Sequence, residues 1–425
     1  MTYKQAMEYI EKVSEYGSVL GLESITRLLE LLNNPQDELK FIHVAGTNGK
    51  GSTIAYLEQV LINSSYNVGA FTSPHVRNYS EIIRKNGKNI TQKAIGEYIE
   101  KIKEVCDVIV SQYGVHPTIF EIECAMAFLY FRDKKCDLVL LETGLGGKED
   151  ATNVVSNTMI AILTSISMDH MSLLGDTLEK IVHSKAGIIK EGCNVILYDQ
   201  SRSVHDIIEN ECKNKNANLH KIDFNLIKGV KVLKLYQEFT YKEWKNIRIA
   251  MMGDFQIKNA ILALKVVEVL RDLGYNINDS NVRNGLLNTS WFGRISLISK
   301  KPDFYVDGAH NLAAINELVK LIEEKFKARR LIFIMGVFRD KEYEKMASQI
   351  CKYAEYIITI TPPDTSRALH AFELANVIKK YNPMVTAADG LREAVEMAYL
   401  LSDKESVILA FGSLSFLGEL ERILD

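Results

Sequence analysis

The sequence predicts an α/β protein of two domains, the larger of which contains a mostly parallel sheet. Short apolar runs of strand length alternate with longer helical patterns, as is typical of βαβ units. The chain has 425 residues, which is too many for one ordinary domain and enough for two. The alternation is interrupted at "LLNTSWFGRISL" (286–297), which we interpret as a hinge. We therefore expect domains at 1–289 and 290–425.

The strands of the N-terminal domain are predicted from apolar runs bounded by turn residues. We expect strands at 41–46, 67–72, 136–143, 158–166 and 193–199. We expect helices at 53–64, about 92–113, 121–133, 176–190 and 256–274. Residues 213–248 alternate apolar and polar side chains, which predicts a small group of antiparallel strands before the last of these helices.

The βα alternation starts again in the C-terminal domain. We expect its strands at 303–308, 329–336, 355–360 and 406–412, with helices between them. This predicts a second, smaller α/β domain.

Composition excludes several classes of function. The net charge of −3 gives no basic footprint that would argue for binding of nucleic acid. No apolar run approaches the roughly 18 residues of a membrane span, and the N-terminus "MTYKQAMEYIEK" has no signal-peptide core. The six cysteines are scattered without CxxC pairs, so we expect a reducing, cytoplasmic location.

The stretch "HVAGTNGKGST" (43–53) predicts a phosphate-binding loop between a strand and a helix. The strict P-loop spacing G-x-x-x-x-G-K-[ST] fails, because Val44 stands where the first glycine belongs. A Gly-rich turn at a helix N-terminus can still approach a triphosphate, with Lys50 at the β- and γ-phosphates and Ser52 or Thr53 towards Mg²⁺. The alternative is a turn without a ligand, but the order of residues favours a nucleotide. The predicted nucleotide-binding residues are Gly46, Thr47, Asn48, Gly49, Lys50, Gly51, Ser52 and Thr53.

Other candidates are less distinctive when taken alone. Glu142 ends an apolar strand, which predicts a carboxylate at the carboxyl edge of the sheet. His170, in "MDH", is either a ligand or a structural histidine, and Ser73 is typical of a turn before proline. Lys185 and Arg294, considered alone, are typical of solvated side chains.

Further motifs occur in the same order as in one known family. They are "FTSPH" (71–75), "IFEIECAMAF" (119–128), "LETGLGGKEDATN" (141–153), "TSISMDHMSLLG" (164–175), "SKAGIIK" (184–190), "DGAHN" (307–311) and "AFGSLSFLGEL" (410–420). With the GTNGKGS loop they cover nearly the whole chain. The sequence resembles the Mur ligase superfamily, and in particular its folylpolyglutamate synthase/dihydrofolate synthase family. The resemblance implies a two-domain Mur-ligase-like architecture, with an N-terminal P-loop ATPase domain and a smaller C-terminal ligase domain.

The resemblance also implies roles for individual residues. It assigns Ser73, Glu142 and His170 to Mg²⁺, and carbamylation to Lys185, which would then be a further metal ligand. It makes Asn259, Arg294 and Asp307 nucleotide contacts and places His310 near the phosphates, so that Lys50, Lys185 and His310 are the catalytic candidates. Thr118, Phe120 and Glu121 correspond to the acceptor pocket, which the loop containing Asp150 borders. The chain departs from the family pattern at Ser24, Ile82, Lys148 and Glu149.

The implied activity is ATP-dependent amide formation in folate biosynthesis and one-carbon metabolism. The terminal phosphate of ATP passes to a carboxylate, and the amine of L-glutamate attacks the resulting acyl phosphate. The implied acceptor is dihydropteroate, tetrahydrofolate with its glutamyl tail, or both, and the enzyme is expected to act as a monomer. Two alternatives are a Mur-type ligase for another carboxylate acceptor and a nucleotide-gated binding protein without ligase activity. A cell-wall ligase would ordinarily carry an N-terminal UDP-binding domain, for which a phosphate loop at residue 46 leaves no room.

Overall fold

A computed structural model describes residues 1–14, 17, 21–233, 235–363 and 366–424. The chain forms two compact units. The N-terminal unit comprises Met1–His75, Tyr79–Ala250 and Ile257–Thr289, and the C-terminal unit comprises Val76–Asn78, Met251–Gln256 and Ser290–Asp425. Among the helices of the described residues, none combines the length and hydrophobicity needed to cross a membrane.

An eight-stranded sheet organises the N-terminal unit. Its strands are β1 (Phe41–Ala45), β2 (Val68–Phe71), β3 (Ile83–Lys85), β4 (Lys88–Asn89), β5 (Leu138–Glu142), β6 (Thr158–Leu163), β7 (Asn194–Leu197) and β8 (Asn218–Lys221). Their order in the sheet is β4-β3-β2-β5-β1-β6-β7-β8. Strands β2, β5, β1, β6, β7 and β8 pair in parallel, whereas β3 and β4 add an antiparallel edge. The predicted mostly parallel sheet is confirmed.

Helices cover this sheet and bury its central strands. They are α1 (Tyr3–Ser14), α2 (Glu23–Leu31), α3 (Lys50–Asn63), α4 (Gln92–Tyr113), α5 (Ile119–Asp133), α6 (Met171–Leu174), α7 (Leu178–Ala186), α8 (Arg202–Asn214), α9 (Asp254–Asp272) and α10 (Asp279–Asn288). One apolar cluster joins α1, α2, α4 and α5 to β1, β2 and β5, and another joins α7 and α8 to β6 and β7. Helix α3, which follows β1, packs against β5 and α10 and is buried over most of its length.

A small antiparallel sheet follows the main sheet, but it begins later than the sequence predicts. Its strands are β9 (Ile227–Val232), β10 (Gln237–Tyr241) and β11 (Trp244–Ile249), in the order β11-β10-β9. The prediction of antiparallel strands over 213–248 is wrong for β8, which pairs in parallel with β7. Strand β8 is a partly exposed edge strand, so its mixed composition is similar to that of a half-buried antiparallel strand. Lys234, within the predicted stretch, lies outside the described residues.

The C-terminal unit contains a six-stranded sheet in the order β12-β13-β17-β14-β15-β16. The strands are β12 (Ser296–Ser299), β13 (Asp303–Val306), β14 (Leu331–Met335), β15 (Tyr356–Thr359), β16 (Val385–Ala387) and β17 (Val407–Phe411). The helices are α11 (Leu312–Leu321), α12 (Tyr343–Ile350), α13 (Ala371–Ile378), α14 (Leu391–Leu401) and α15 (Leu417–Leu424). Within the described residues of this sheet, β12 pairs antiparallel with β13, and the other neighbouring strands pair in parallel. The predicted hinge contains the end of α10 and the start of β12, which the sequence did not reveal.

Candidate active site

Sheet topology gathers the predicted site residues of the N-terminal unit at one edge. Strands β2, β5, β1 and β6 are neighbours and run parallel, so their carboxyl ends point the same way. Ser73 follows β2, Glu142 ends β5, the loop from Gly46 follows β1, and His170 follows β6. Ligand sites of α/β proteins form at this edge.

The phosphate loop turns sharply into α3 at Gly49. This residue has φ 92° and lies immediately before the helix. The positive φ favours glycine, and a Cβ atom at this position would approach the Oδ1 atom of Asn259 to 2.6 Å, so that this side chain would have to move. Asn259, predicted as a nucleotide contact, therefore lies against the phosphate loop, where it is 4% exposed.

Thr47 fastens the loop to the segment after β6. Its hydroxyl donates to the carbonyl of Ser167 at 3.1 Å and accepts from the Ser167 amide at 3.0 Å. The Thr47 amide donates to the carbonyl of Ser165 at 2.8 Å. The loop is thus held to the segment that leads to His170.

The Lys50 ammonium lies between the loop and the end of β5. It donates to the Gly46 carbonyl at 3.3 Å, and it lies 3.8 Å from Oε1 of Glu142. Glu142 is 5% exposed, so this lysine supplies a positive charge beside a buried carboxylate. The next two hydroxyl residues of α3, Ser52 and Thr53, are also buried.

Lys185 comes from α7 to the same loop. Its ammonium donates to the Gly46 carbonyl at 2.9 Å, although the two residues are 139 positions apart. Burial, together with the smaller effect of the nearby charge of Lys50, lowers the pKa of Lys185 to about 7, whereas Asp169 and Asp150 oppose this shift. The sequence gives no sign of this burial, because lysines on short helices are ordinarily exposed.

Asp169 is a candidate that the sequence analysis missed. Its carboxylate acts on Lys185, and its side chain is 9% exposed next to His170, whose Nε2 lies 3.9 Å from Asp169 Oδ2. The motif "MDH" contains the signal, a carboxylate beside the histidine at a strand end.

The chemistry of these side chains fits a hard divalent cation. Ser73 follows β2, Glu142 ends β5 and His170 follows β6, so a hydroxyl, a carboxylate and an imidazole come from the carboxyl ends of three strands of one sheet. Such oxygen and nitrogen donors suit Mg²⁺ when substrate phosphates and water complete its coordination. Among the histidine, cysteine and carboxylate side chains of the described residues, no three are grouped so that they could hold a metal by themselves.

The predicted acceptor residues meet at the start of α5. Thr118 and Glu121 form a capping box, in which Glu121 Oε2 accepts from the Thr118 amide at 2.7 Å and from its hydroxyl at 2.9 Å. The Ser24 hydroxyl donates to the same oxygen at 3.2 Å. Phe120 lies beside Phe71, with ring centroids 5.8 Å apart. Glu121 thus organises the start of α5 by capping the helix.

The loop after Glu142 closes around Asp150. The carboxylate accepts from the Leu145 amide at 2.7 Å and from the Thr152 amide at 3.0 Å. Burial raises the pKa of Asp150, and these hydrogen bonds oppose the shift. At the front of the loop, a side chain on Gly144 would approach the Phe120 ring to 2.6 Å, so glycine is needed for this contact.

The remaining predicted residues lie together in the C-terminal unit. Asp307 accepts from the Ala309 amide at 2.8 Å and from the Ile295 amide at 3.0 Å, and burial raises its pKa while Arg294 opposes the shift. His310 Nδ1 lies 2.7 Å from the Gly308 carbonyl. Because a carbonyl only accepts, this nitrogen carries a proton.

Comparisons with known proteins agree with this fold. Residues 44–267 match the Mur ligase middle domain, and residues 293–414 match the Mur ligase, glutamate ligase domain. Fold and site thus define an ATP-dependent ligase of the Mur type.

The chain is 31% identical to the dihydrofolate synthase/folylpolyglutamate synthase of Bacillus subtilis, over 99% of both proteins. It is also 31% identical to the dihydrofolate synthetase of Saccharomyces cerevisiae, over 95% of this chain and 97% of that protein. The solved folylpolyglutamate synthase of Mycobacterium tuberculosis complexed with ADP has a TM-score of 0.91 and 26% identity, covering 99% of this chain and 98% of that one. The chain belongs to the folylpolyglutamate synthase/dihydrofolate synthase family of Mur ligases.

Proposed function

We propose that the protein joins L-glutamate to a folate carboxylate, using ATP to form an acyl phosphate. One observation carries the proposal: the ammonium groups of Lys50 and Lys185 both donate to the Gly46 carbonyl of the phosphate loop. The carboxylate of Glu142 lies beside Lys50. A phosphate-binding lysine beside a buried carboxylate is suited to positioning a triphosphate with a divalent cation.

Nucleotide binding is proposed for the loop residues 46–53 and for Asn259, which packs against the loop. Lys50 would contact the β- and γ-phosphates, and the amides at the start of α3 would face them. Arg294, Asp307 and His310 are proposed as further contacts from the C-terminal domain. The solved Mycobacterium tuberculosis relative was complexed with ADP, which supports the proposal.

Mg²⁺ is proposed to bind through Ser73, Glu142 and His170. When bound, it would neutralise charge that develops on the transferring phosphoryl group. Lys185 is proposed to carry a carbamate. Its lowered pKa, about 7, leaves a substantial fraction of neutral amine near pH 7, and only the neutral amine reacts with CO₂.

The reaction consists of two transfers. An acceptor carboxylate oxygen attacks the γ-phosphorus of ATP, the bond to the β-phosphate oxygen breaks, and ADP leaves. The neutral amine of glutamate then attacks the acyl carbon, forming a tetrahedral intermediate whose collapse releases inorganic phosphate. The proton lost by the attacking amine passes to solvent or to the departing phosphate. Lys50 stabilises the phosphoryl oxygens through both transfers.

Dihydropteroate and tetrahydrofolate are the proposed acceptors. Thr118, Phe120 and Glu121 at the start of α5, with Asp150 on the neighbouring loop, would form the pocket for the pterin part. Phe120 is only partly buried, which supports this, since an aromatic surface can stack on a pterin. We further propose that residues 1–289 form the ATP-binding domain and residues 290–425 the ligase domain, in a cytoplasmic monomer.

The test is glutamate-dependent release of ADP, with dihydropteroate and tetrahydrofolate offered separately. Turnover with both defines a bifunctional synthase, and turnover with one names a single activity. ADP release that does not require glutamate would support a nucleotide-gated protein. Protein that binds ATP but uses neither acceptor would overturn the folate assignment.

A further inference from the structure

His43 occupies an unusual place, the centre of the main sheet. It lies in β1 opposite Leu141 of β5 and Ala161 of β6, and it is 0% exposed. Burial, together with the smaller effect of the charge of Lys190, lowers its pKa to about 3, so the imidazole is neutral near pH 7. An apolar residue would fill this position without the cost of burying a polar ring.

The ring makes one specific contact. His43 Nε2 lies 2.9 Å from the hydroxyl of Thr152, which is also 0% exposed. That hydroxyl donates in turn to Oδ1 of Asp150. Because the single hydroxyl proton of Thr152 is used for Asp150, His43 Nε2 must donate to Thr152. The direction of the chain is therefore fixed: His43 donates to Thr152, and Thr152 donates to Asp150.

This series of hydrogen bonds ends at the carboxylate of Asp150, which shapes the loop after Glu142. The carboxylate also accepts from the amides of Leu145 and Thr152, which lie on either side of Asp150 in the sequence. The same loop meets Phe120 at Gly144 and donates from the Lys148 amide to the Ser184 carbonyl at 2.7 Å. Ser184 precedes Lys185, so the loop lies between the acceptor pocket wall and the buried lysine.

We propose that His43 is a positioning residue, which acts through Thr152 and Asp150 to hold the loop 144–153 in the form that binds the acceptor. A donor fixed in the central strand would keep the Asp150 carboxylate in one orientation, and the carboxylate keeps the loop closed. The part of this inference that concerns the acceptor rests on the proposed function. The part that concerns the loop depends only on the contacts above.

The alternative is that His43 is an ordinary core residue whose hydrogen bond to Thr152 does not affect the loop. Two features oppose it. His43 Nδ1 has no hydrogen-bond partner among the described residues, so the polar interaction of the ring there is the one at Nε2. The donor it supplies also leads to a buried carboxylate, for which hydrogen bonds are worth more than between neutral groups.

The experiment compares four variants in the full chain. Thr152→Val removes the hydroxyl at nearly constant shape, and Thr152→Ser keeps it. His43→Leu removes the donor, and His43→Gln keeps a side-chain N–H at a similar distance from the backbone. Ile42→Val, in the same strand, is the control for a small change in the core that leaves the chain of hydrogen bonds intact.

Two quantities are measured for each variant. Hydrogen–deuterium exchange of residues 144–153 reports loop order without any turnover. We expect faster exchange in Thr152→Val and His43→Leu, and exchange like wild type in Thr152→Ser, His43→Gln and Ile42→Val. The KM for the acceptor should rise roughly 10- to 100-fold in Thr152→Val and His43→Leu, with the KM for ATP changed less than twofold.

The outcomes separate the inference from the proposed function. Wild-type protein that uses neither acceptor would refute the proposed function, while exchange would still decide whether His43 holds the loop. If the wild type turns over and Thr152→Val has the same KM for the acceptor, the hydrogen bonds from His43 through Thr152 to Asp150 have no role in acceptor binding. Unchanged exchange in both Thr152→Val and His43→Leu, or equal effects in Ile42→Val, would overturn the positioning role itself.

Discussion

The ammonium of Lys185 donates a hydrogen bond of 2.9 Å to the carbonyl of Gly46, the first glycine of the phosphate loop. This contact places a 4% exposed lysine beside Lys50, which explains why its pKa falls to about 7. A neutral amine in this position has the chemistry needed for carbamylation, and the neighbouring positive charge of Lys50 would favour the product.

Removal of CO₂ should lower turnover, and bicarbonate should restore it. The expected reason is loss and reformation of a carbamate on Lys185. Lys185→Met should have low activity that bicarbonate does not restore, whereas Lys148→Met, a change of an exposed lysine nearby, should respond like wild type. A density map that shows a bare ammonium on Lys185 at saturating bicarbonate would count against the assignment.

Glu142→Gln should reduce kcat by roughly 10²–10³ while leaving the unfolding midpoint close to that of wild type. The substitution keeps the shape of a buried side chain but removes the negative charge beside Lys50 and the proposed metal ligand. Steady-state kinetics over a range of Mg²⁺ concentrations measures the effect, with Glu97→Gln, at an exposed position of α4, as control. Wild-type kcat in correctly folded Glu142→Gln would remove this residue from the metal site.

The buried ion pair between Arg84 and Glu58, beside the segment before Ser73, should contribute strongly to the free energy of unfolding. Arg84 donates to Glu58 Oε2 through Nε at 3.0 Å and Nη2 at 2.9 Å, and through Nη1 to the Thr72 hydroxyl at 2.8 Å. Arg84→Met leaves the Glu58 carboxylate buried without its cation, so the free energy of unfolding should fall by about 3–5 kcal/mol.

Urea denaturation checks this prediction. The double variant Arg84→Met/Glu58→Met should recover most of the loss, because it removes both buried charges. Lys103→Met breaks an exposed pair with Asp107 and should have little effect. A loss in Arg84→Met no greater than in Lys103→Met would show that the buried pair contributes little.

The stability of the protein should fall below pH 7 partly through His43. Its pKa is about 3 in the folded protein and 6.5 in an unfolded chain, so between these values the unfolded state binds the extra proton. Stability from this group is therefore complete above pH 6.5 and is lost as the pH falls towards 3. Between pH 7 and pH 5 the loss amounts to about 2 kcal/mol.

His43→Gln removes the titration and keeps a donor. Between pH 7 and pH 5 the variant should therefore lose about 2 kcal/mol less of its free energy of unfolding than the wild type loses. Urea denaturation at both pH values measures this difference. Parallel losses in wild type and variant would mean that His43 does not cause the acid sensitivity.

The parallel sheets could be predicted because buried strands are short apolar runs between turn residues. Strands β1, β5 and β14, for example, are buried at every position. The short strands β4 and β16 were missed because two or three residues carry no periodic signal. The parallel pairing of β8 was missed because exposure at the edge gives it a mixed pattern.

Those site residues that lie at strand ends or in recognisable motifs could be predicted from the sequence. The position of Glu142 at the sheet edge follows from its place after four apolar residues. The contact of Lys185 with Gly46 could not be predicted, because it depends on how α7 packs against the loop after β1. The link between His43 and Thr152 joins residues 109 positions apart, and local sequence patterns carry no information at that separation.

The most direct test of the proposed chemistry is the fate of the carboxylate oxygens of the acceptor. Dihydropteroate labelled with ¹⁸O in its carboxylate is incubated with the enzyme, ATP and glutamate, and the inorganic phosphate is analysed by mass spectrometry. An acyl phosphate predicts phosphate that carries one ¹⁸O atom, because the acyl–oxygen bond breaks when glutamate attacks. Unlabelled phosphate, formed together with the glutamylated product, would contradict the account.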